Sequence, residues 1–168
     1  MGDKHAGKTT AAAKLVQRLE QRDFTVGGIL APSIYKRCLL VGFDIVDIKK
    51  NVRLPLAVRD IHADNFVPYR YSPEGVKLGH SALGLAANSL MDLVIVDEFG
   101  PLEINGKGWR EDTDRLLVAK KSLVLIVVRR SIAKQIQNLY EKYEPLLLES
   151  LDPESVDRMA TIVCRYNN

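Results

Sequence analysis

The chain has few of the features that mark secreted, membrane or metal-built proteins. Two cysteines, Cys38 and Cys164, are too few for a disulfide framework, and they read as reduced thiols of a cytoplasmic protein. No secretory leader is expected, and the longest apolar stretches are strand-sized, too short to span a bilayer. Of the three histidines, His62 and His80 have no partners at metal-ligand spacing, so no structural zinc is expected. Charge is nearly balanced, 24 Lys and Arg against 21 Asp and Glu, for a net of +3. The basic pairs Lys49-Lys50, Lys120-Lys121 and Arg129-Arg130 are scattered, which argues against a nucleic-acid partner. With 168 residues and no repeat or linker, one domain spanning 1–168 is expected.

What is present begins almost at once. Gly2, Asp3, Lys4, His5, Ala6, Gly7, Lys8 and Thr9 fill the phosphate-loop pattern G-x-x-x-x-G-K-[ST], with Thr10 following. Glycines let the backbone curl until successive N–H groups converge on an anion. The Lys8 ammonium reaches the outer phosphates, and the Thr9 hydroxyl can ligate a magnesium ion. A helix starting here adds its positive dipole end. Such a loop ordinarily joins the end of a buried strand to a helix, and only Met1 precedes Gly2, so the first strand of the pattern is expected to be missing.

Further along, periodicity predicts an α/β fold. Ala12, Leu15, Val16 and Leu19 recur as one face of a helix over Thr10 to Arg22. Phe24 to Leu30 reads as a strand in which Gly27-Gly28 marks a bulge or a close backbone approach. Val41, Phe43 and Ile45 alternate as a second strand, and Val52 to Val58 reads as a third that Pro55 places at an edge. Phe66, Tyr69 and Tyr71 alternate likewise. These pieces form a small antiparallel excursion. Ser72-Pro73-Glu74 starts a helix reaching about Met91, with Val76, Leu83, Ala87 and Leu90 on one face. Leu93 to Val96 and Leu123 to Val128 read as strands buried on both faces. Helices follow over Ser131 to about Tyr143 and Pro153 to about Arg165, the latter capped by Asp152 with Val156, Met159, Ala160 and Val163 as its stripe. A mainly parallel sheet flanked by helices, of the P-loop type, is the expected architecture.

The strand from Leu93 ends in Asp97-Glu98. An Asp at the carboxyl end of a buried strand can hold magnesium, and Glu98 is placed to polarise an attacking water. In open α/β sheets ligands bind beyond the carboxyl ends of the strands, so this pair is expected to face the phosphate loop.

With these residues in view, the chain resembles the small nucleoside-triphosphatases of the THEP1 type. The likeness rests on Gly2 to Thr10, on Gly27-Gly28 through Val41-Gly42-Phe43-Asp44-Ile45, and most of all on Asp97-Glu98-Phe99-Gly100-Pro101-Leu102-Glu103. The resemblance implies Mg²⁺-dependent hydrolysis of ATP, GTP and other nucleoside triphosphates. Lys8 would grip the β- and γ-phosphates, Thr9 and Asp97 would hold the metal, and Glu98 would be the catalytic base. Glu103 matches the family's second acid, with either a site-shaping or a surface role. Gly100-Pro101 would fix the turn carrying the acids. Arg129 lies near the nucleotide edge, as a charge stabiliser or a plain salt-bridge partner. Leu40 departs from the family pattern, which has an Arg there. Trp109 could stack on a base or pack the start of the next helix.

Two other functions fit the same loop: a P-loop small-molecule kinase or nucleotide transferase, and a nucleotide-binding regulatory module with little turnover. The first needs an acceptor pocket and a basic lid, and no arginine-rich lid is present. Nothing in the pattern fixes the preferred base or an oligomeric state.

Overall fold

The computed structural model describes residues 7–60, 69–149 and 153–166. Gly2 to Ala6, His62, Phe66 and Asp152 lie outside the described residues. Helix α1 (Lys8–Glu20) is followed by strands β1 (Val26–Leu30), β2 (Ser33–Lys36), β3 (Leu39–Asp47), β4 (Val52–Arg59) and β5 (Tyr69–Tyr71). Then come α2 (Pro73–Asn88), β6 (Leu93–Phe99), α3 (Pro101–Ile104), α4 (Arg110–Ala119), β7 (Leu123–Val128), α5 (Ala133–Leu139) and α6 (Pro153–Tyr166).

The strands form one mixed sheet in the order β5-β4-β3-β1-β6-β7, with β2 pairing β3 off this path. β1, β6 and β7 run parallel, and the β2–β5 wing is antiparallel. The excursion is thus larger than the sequence pattern suggested, because β1 itself pairs antiparallel with β3 and carries the wing into the main sheet.

Period-two alternation in β6 builds a core on each face of the sheet. Leu93 and Ile95 join Leu15, Leu19, Met159 and Val163 of α1 and α6, whereas Val94 and Val96 join Leu83 of α2, Trp109 and Leu116 of α4, and Ile136 of α5. Each fully buried Leu or Ile contributes roughly 1.5–3 kcal/mol of transfer free energy. At Gly28 a close approach is built in. Its φ is +95° and an added Cβ would lie 2.1 Å from the Ile95 carbonyl oxygen.

Several expectations need adjustment. β4 is an edge only near Pro55; beyond it, Ala57, Val58 and Arg59 pair with β5. Pro55 sits where the β3–β4 register shifts, the position at which a residue without an N–H costs least. Helix α2 starts as expected, with the Ser72 hydroxyl accepting from the Gly75 N–H at 3.2 Å, but it ends at Asn88. Its buried face is Gly75, Gly79, Ala82, Leu83 and Ala86, and Leu90 lies beyond its end, exposed. Gly79 decides that face: an added Cβ would stand 2.4 Å from the Trp109 indole. Trp109 is accordingly a buried packing residue at the start of α4, against α2.

The expected helix over 131–143 is broken into a 3-10 turn (Arg130–Ile132), α5 and a second 3-10 turn (Glu141–Tyr143). The Tyr140 backbone leaves helical geometry while its ring is buried 6.0 Å from Phe99. β7, expected to be buried on both faces, has Leu123 to Ile126 only half-buried. Among the described residues its outer edge pairs with no strand. That edge borders a groove of about 660 Å³ walled by Ala11, Leu15, Ile136 and Val163.

Candidate active site

The amino end of α1 and the carboxyl ends of β1, β6 and β7 meet at one end of the sheet. Gly7 enters α1 at φ +73°, a left-handed conformation that glycine adopts without strain, and its carbonyl accepts from the Ala11 N–H at 2.8 Å. Lys8 and Thr9 follow in the first turn, with Lys8 buried. Opposite them, Asp97 is 1% exposed. Its Oδ2 accepts from the Ala31 N–H at 3.0 Å, and its Oδ1 from the Glu98 N–H at 2.9 Å. The Thr9 side chain stands beside this carboxylate and favours its ionised form. The last residue of the phosphate-loop pattern and the first acid of the strand are therefore neighbours. Burial raises the Asp97 carboxyl above its ordinary range, and the neighbouring Glu98 pushes the same way; the Ala31 amide, Thr9 and the Glu98 amide oppose them.

Glu98 has a different fate from its neighbour. The β6–β7 register shifts between Val96 and Phe99, and Glu98 sits there at φ +56°. The shift turns its carboxylate toward the mouth of the site, where Arg129 Nη2 approaches Glu98 Oε2 at 3.6 Å. Both side chains are about a third exposed (31% for Glu98, 38% for Arg129). The Arg129 salt bridge named as one of two options is thus present, and Arg129 also lines the pocket.

That pocket, of about 290 Å³, is bounded by Gly7, Lys8, Thr9, Thr10, Glu98 and Arg129. Pro32, Ser33, Tyr35 and Phe43 complete its wall. Sequence reasoning did not single out Pro32, Ser33 and Tyr35, and it named Phe43 only as a strand residue within the stretch that carries the resemblance. The available signal was positional: Pro32 and Ser33 directly follow the carboxyl end of β1, where an α/β sheet presents its loops to a ligand. Of the sequence candidates, Gly7, Lys8, Thr9, Thr10, Asp97, Glu98 and Arg129 are brought together; Gly2, Asp3, Lys4, His5 and Ala6 lie outside the described residues.

Glu103 is not on the surface, one of its two expected roles. It is 3% exposed, and its two carboxylate oxygens accept from the Gly100 N–H at 2.7 Å and the Trp109 N–H at 3.1 Å. Burial raises its pKa; the amides of Gly100, Trp109 and Glu103 itself oppose this, and Glu98 adds to the rise.

The residues present fit a divalent cation. Magnesium takes one or two protein oxygens and fills its octahedron with water and phosphate oxygens. Asp97, buried with amide partners, supplies the hard anionic oxygen, and the adjoining Thr9 hydroxyl the second. No group of three or more His, Cys, Asp or Glu side chains able to hold a metal occurs among the described residues, so an all-protein metal cage is not formed there. No described helix is long and apolar enough to cross a membrane.

A phosphate-loop helix facing an acid-tipped parallel strand places the chain among the P-loop α/β proteins. Comparison with known proteins makes the assignment particular. The NTPase family model matches residues 1–163, and the chain belongs to that family. It is 29% identical over 159 residues to nucleoside-triphosphatase THEP1 of Methanothermobacter thermautotrophicus, covering 92% of this chain and 86% of that one. It is 30% identical over 125 residues to the THEP1 protein of Ignicoccus hospitalis, with 74% and 71% covered. The crystal structure of THEP1 from Aquifex aeolicus superposes with a TM-score of 0.70 at 19% identity, over 96% of this chain and 93% of that one. The solution structure of a human cancer-related nucleoside triphosphatase gives 0.68 at 17%, over 99% and 94%. The fold is thus that of these proteins, and the chain is a nucleoside-triphosphate phosphohydrolase by family.

Proposed function

We propose that the chain hydrolyses nucleoside triphosphates, ATP and GTP among them, to the diphosphate and inorganic phosphate, with Mg²⁺ as cofactor. The observation that carries this reading is the meeting of the amino end of α1 with the acidic end of β6: Lys8, Thr9 and Glu98 line one pocket, with Asp97 beside Thr9. Lys8, buried at the start of α1, grips the β- and γ-phosphate oxygens. The phosphate-loop pattern of Gly2 to Thr9, with Thr10 following, is the sequence signature of a backbone N–H cradle for a polyphosphate. Thr9 and Asp97 would hold the cation, which would neutralise charge developing on the phosphate oxygens.

Glu98 supplies the base. Its carboxylate faces the same pocket as Lys8 and is open to water on one side, as a group that orients and deprotonates a nucleophilic water must be. Water attacks the γ-phosphorus in line, the bond to the β–γ bridging oxygen breaks, and the water proton passes to Glu98. The Arg129 guanidinium, at the same rim, is placed to pair with γ-phosphate charge as that charge spreads over the equatorial oxygens.

Phosphate release from ATP and GTP, measured with Mg²⁺ and with EDTA, tests the reading. Lys8→Ala should abolish triphosphate binding or turnover. Glu98→Gln should keep binding and reduce turnover by on the order of a hundredfold or more. Full turnover in either variant, or release that depends on an added phosphoryl acceptor, would overturn it; acceptor dependence would instead favour a kinase or transferase.

A further inference from the structure

Glu98 is held in a backbone conformation that a residue with a Cβ adopts only when its surroundings impose it. Its φ of +56° lies in the left-handed region, outside any strand geometry. On its amino-terminal side the restraint is plain: Asp97 accepts from the N–H of Ala31, just past β1, and lies beside Thr9 of α1. On its carboxyl-terminal side Phe99 pairs with Val128 of β7 and packs near Tyr140, and from Gly100 on the chain leaves the sheet held by the Glu103 side chain.

That anchor is unusually complete. Oε2 of Glu103 takes the Gly100 N–H and Oε1 takes the Trp109 N–H, so each oxygen serves one element. Gly100 is two residues past Glu98. Trp109 heads α4 and is buried against Gly79 of α2. Glu103 therefore fastens the exit of the acid-bearing strand to the helical layer on that face of the sheet. The chain accommodates it closely from the other side as well. Gly108 has φ +55°, and an added Cβ there would stand 2.0 Å from Oε1.

Stability is a poor explanation for this carboxylate. Burying an acid among neutral amides costs desolvation that a shape-matched neutral residue would not. What a carboxylate does that a neutral amide side chain cannot is accept from two converging N–H groups at once. Gln presents one acceptor and one donor, so its NH₂ would meet either the Gly100 or the Trp109 N–H head-on.

We propose that Glu103 is a positioning residue for hydrolysis. By clamping Gly100 to Trp109 it fixes the Asp97–Gly100 turn and so aims the Glu98 carboxylate at the water. Glu103 makes no contact with substrate; it acts through Glu98. This inference rests on the proposed hydrolytic role of Glu98 and adds the residue that sets its aim.

The test is a double-mutant cycle of Glu98→Gln with Glu103→Gln. The readouts are kcat, KM, affinity for a non-hydrolysable triphosphate analogue, and the melting temperature. Alone, Glu103→Gln should lower kcat by on the order of tenfold or more, with KM and analogue affinity unchanged within about twofold. In the Glu98→Gln background it should lower kcat no further. A second perturbation, Gly108→Ala, presses on Oε1 without removing the charge and should lower kcat in the same selective way, which keeps the proposal testable if Glu103→Gln folds poorly. The same fold-loss from Glu103→Gln in both backgrounds would overturn the positioning role and leave the hydrolytic reading standing, as would a loss confined to KM and analogue affinity. Undiminished turnover in Glu98→Gln would defeat the hydrolytic reading and this inference with it.

Discussion

The pairing of β1 with β6 at Gly28 couples the fold to the site, and Gly28→Ala measures that coupling. Gly28 sits opposite Ile95 in the parallel ladder; Asp97 is two residues past Ile95 on β6, and Ala31 is three residues past Gly28, just beyond the end of β1. An alanine there has two independent problems. Its φ of +95° costs an L-residue about 1–2 kcal/mol, and its Cβ would lie 2.1 Å from the Ile95 oxygen and 2.7 Å from the Ile95 nitrogen, both backbone atoms that no rotamer change can move. Relief requires the strands to part, and overpacking of that kind typically costs about 1–3 kcal/mol. The total, about 2–5 kcal/mol, corresponds to a melting-temperature loss of roughly 4–20 °C for a domain of this length.

The same displacement lengthens the bond from the Ala31 N–H to Asp97, now 3.0 Å, so turnover should fall along with stability. Thermal unfolding followed by circular dichroism, with phosphate release at a temperature well below both transitions, reads both effects. Gly84→Ala is the control: nothing lies within 4 Å of its added Cβ, and it sits inside α2 with no positive φ. That variant should be neutral or up to about 1 kcal/mol more stable. A Gly28→Ala protein that melts with the wild type, or below it by no more than the control, would refute the reasoning.

Two further outcomes follow from the site's charges. Arg129→Ala should leave triphosphate affinity within a few-fold of wild type and reduce kcat by on the order of a hundredfold, read by steady-state phosphate release; an unchanged kcat would confine Arg129 to its salt bridge with Glu98. Burial raises Glu103's pKa in the folded protein, so between the ordinary glutamate value of 4.5 and that raised value the folded state holds more proton than the unfolded. This group's contribution to stability is therefore greatest below the ordinary value and declines as pH rises through the window. The melting-temperature difference, wild type minus Glu103→Gln, should shrink as pH rises from about 4.5 toward neutral, and a difference that grows would contradict the assigned shift.

Most of the site was legible because its chemistry is local in sequence. The phosphate-loop pattern placed Lys8 and Thr9, and an apolar run ending in two acids placed Asp97 and Glu98, each from fewer than ten consecutive residues. The helices α1 and α6 were legible for a related reason: their apolar spacing matches a single buried stripe. What escaped was set by contacts between distant segments. The buried face of α2 includes Gly79 pressed by Trp109, so a stripe counted from larger apolar residues found Leu83, with Val76 and Ala87 at its margin, and missed Gly75, Gly79, Ala82 and Ala86. The segment from Glu103 to Leu123 carries too few apolar residues at helical spacing to announce α4, whose buried positions include Asp112 and Thr113. Asp112 is pinned by His80 of α2 at 2.6 Å, a pairing no local pattern reports. The wall formed by Pro32, Ser33, Tyr35 and Phe43 depends on the β2–β3 hairpin bordering the same pocket as the amino end of α1, which no local pattern reports.

The backbone at Glu98 gives a last, separable prediction. Asp97 and Glu98 are consecutive, yet one is buried against Ala31 and Thr9 while the other stands at the mouth of the site. A regular strand would send them to opposite faces of the sheet. The register shift between Val96 and Phe99 and the left-handed turn at Glu98 bring both to the same end instead, at a cost in backbone strain of about 1 kcal/mol. Comparing Glu98→Gly with Glu98→Ala isolates that cost, since both lose the carboxylate and its pairing with Arg129 and they differ only in Cβ. Both should be inactive in phosphate release. The glycine variant should nevertheless be the more stable by about 1 kcal/mol, or roughly 2–4 °C in melting temperature, because glycine adopts φ +56° freely. At an unstrained position the order is reversed, since glycine leaves more conformational entropy to lose on folding. An alanine variant as stable as the glycine one would mean that Glu98 carries no strain, and that its aim needs nothing on either side to enforce it.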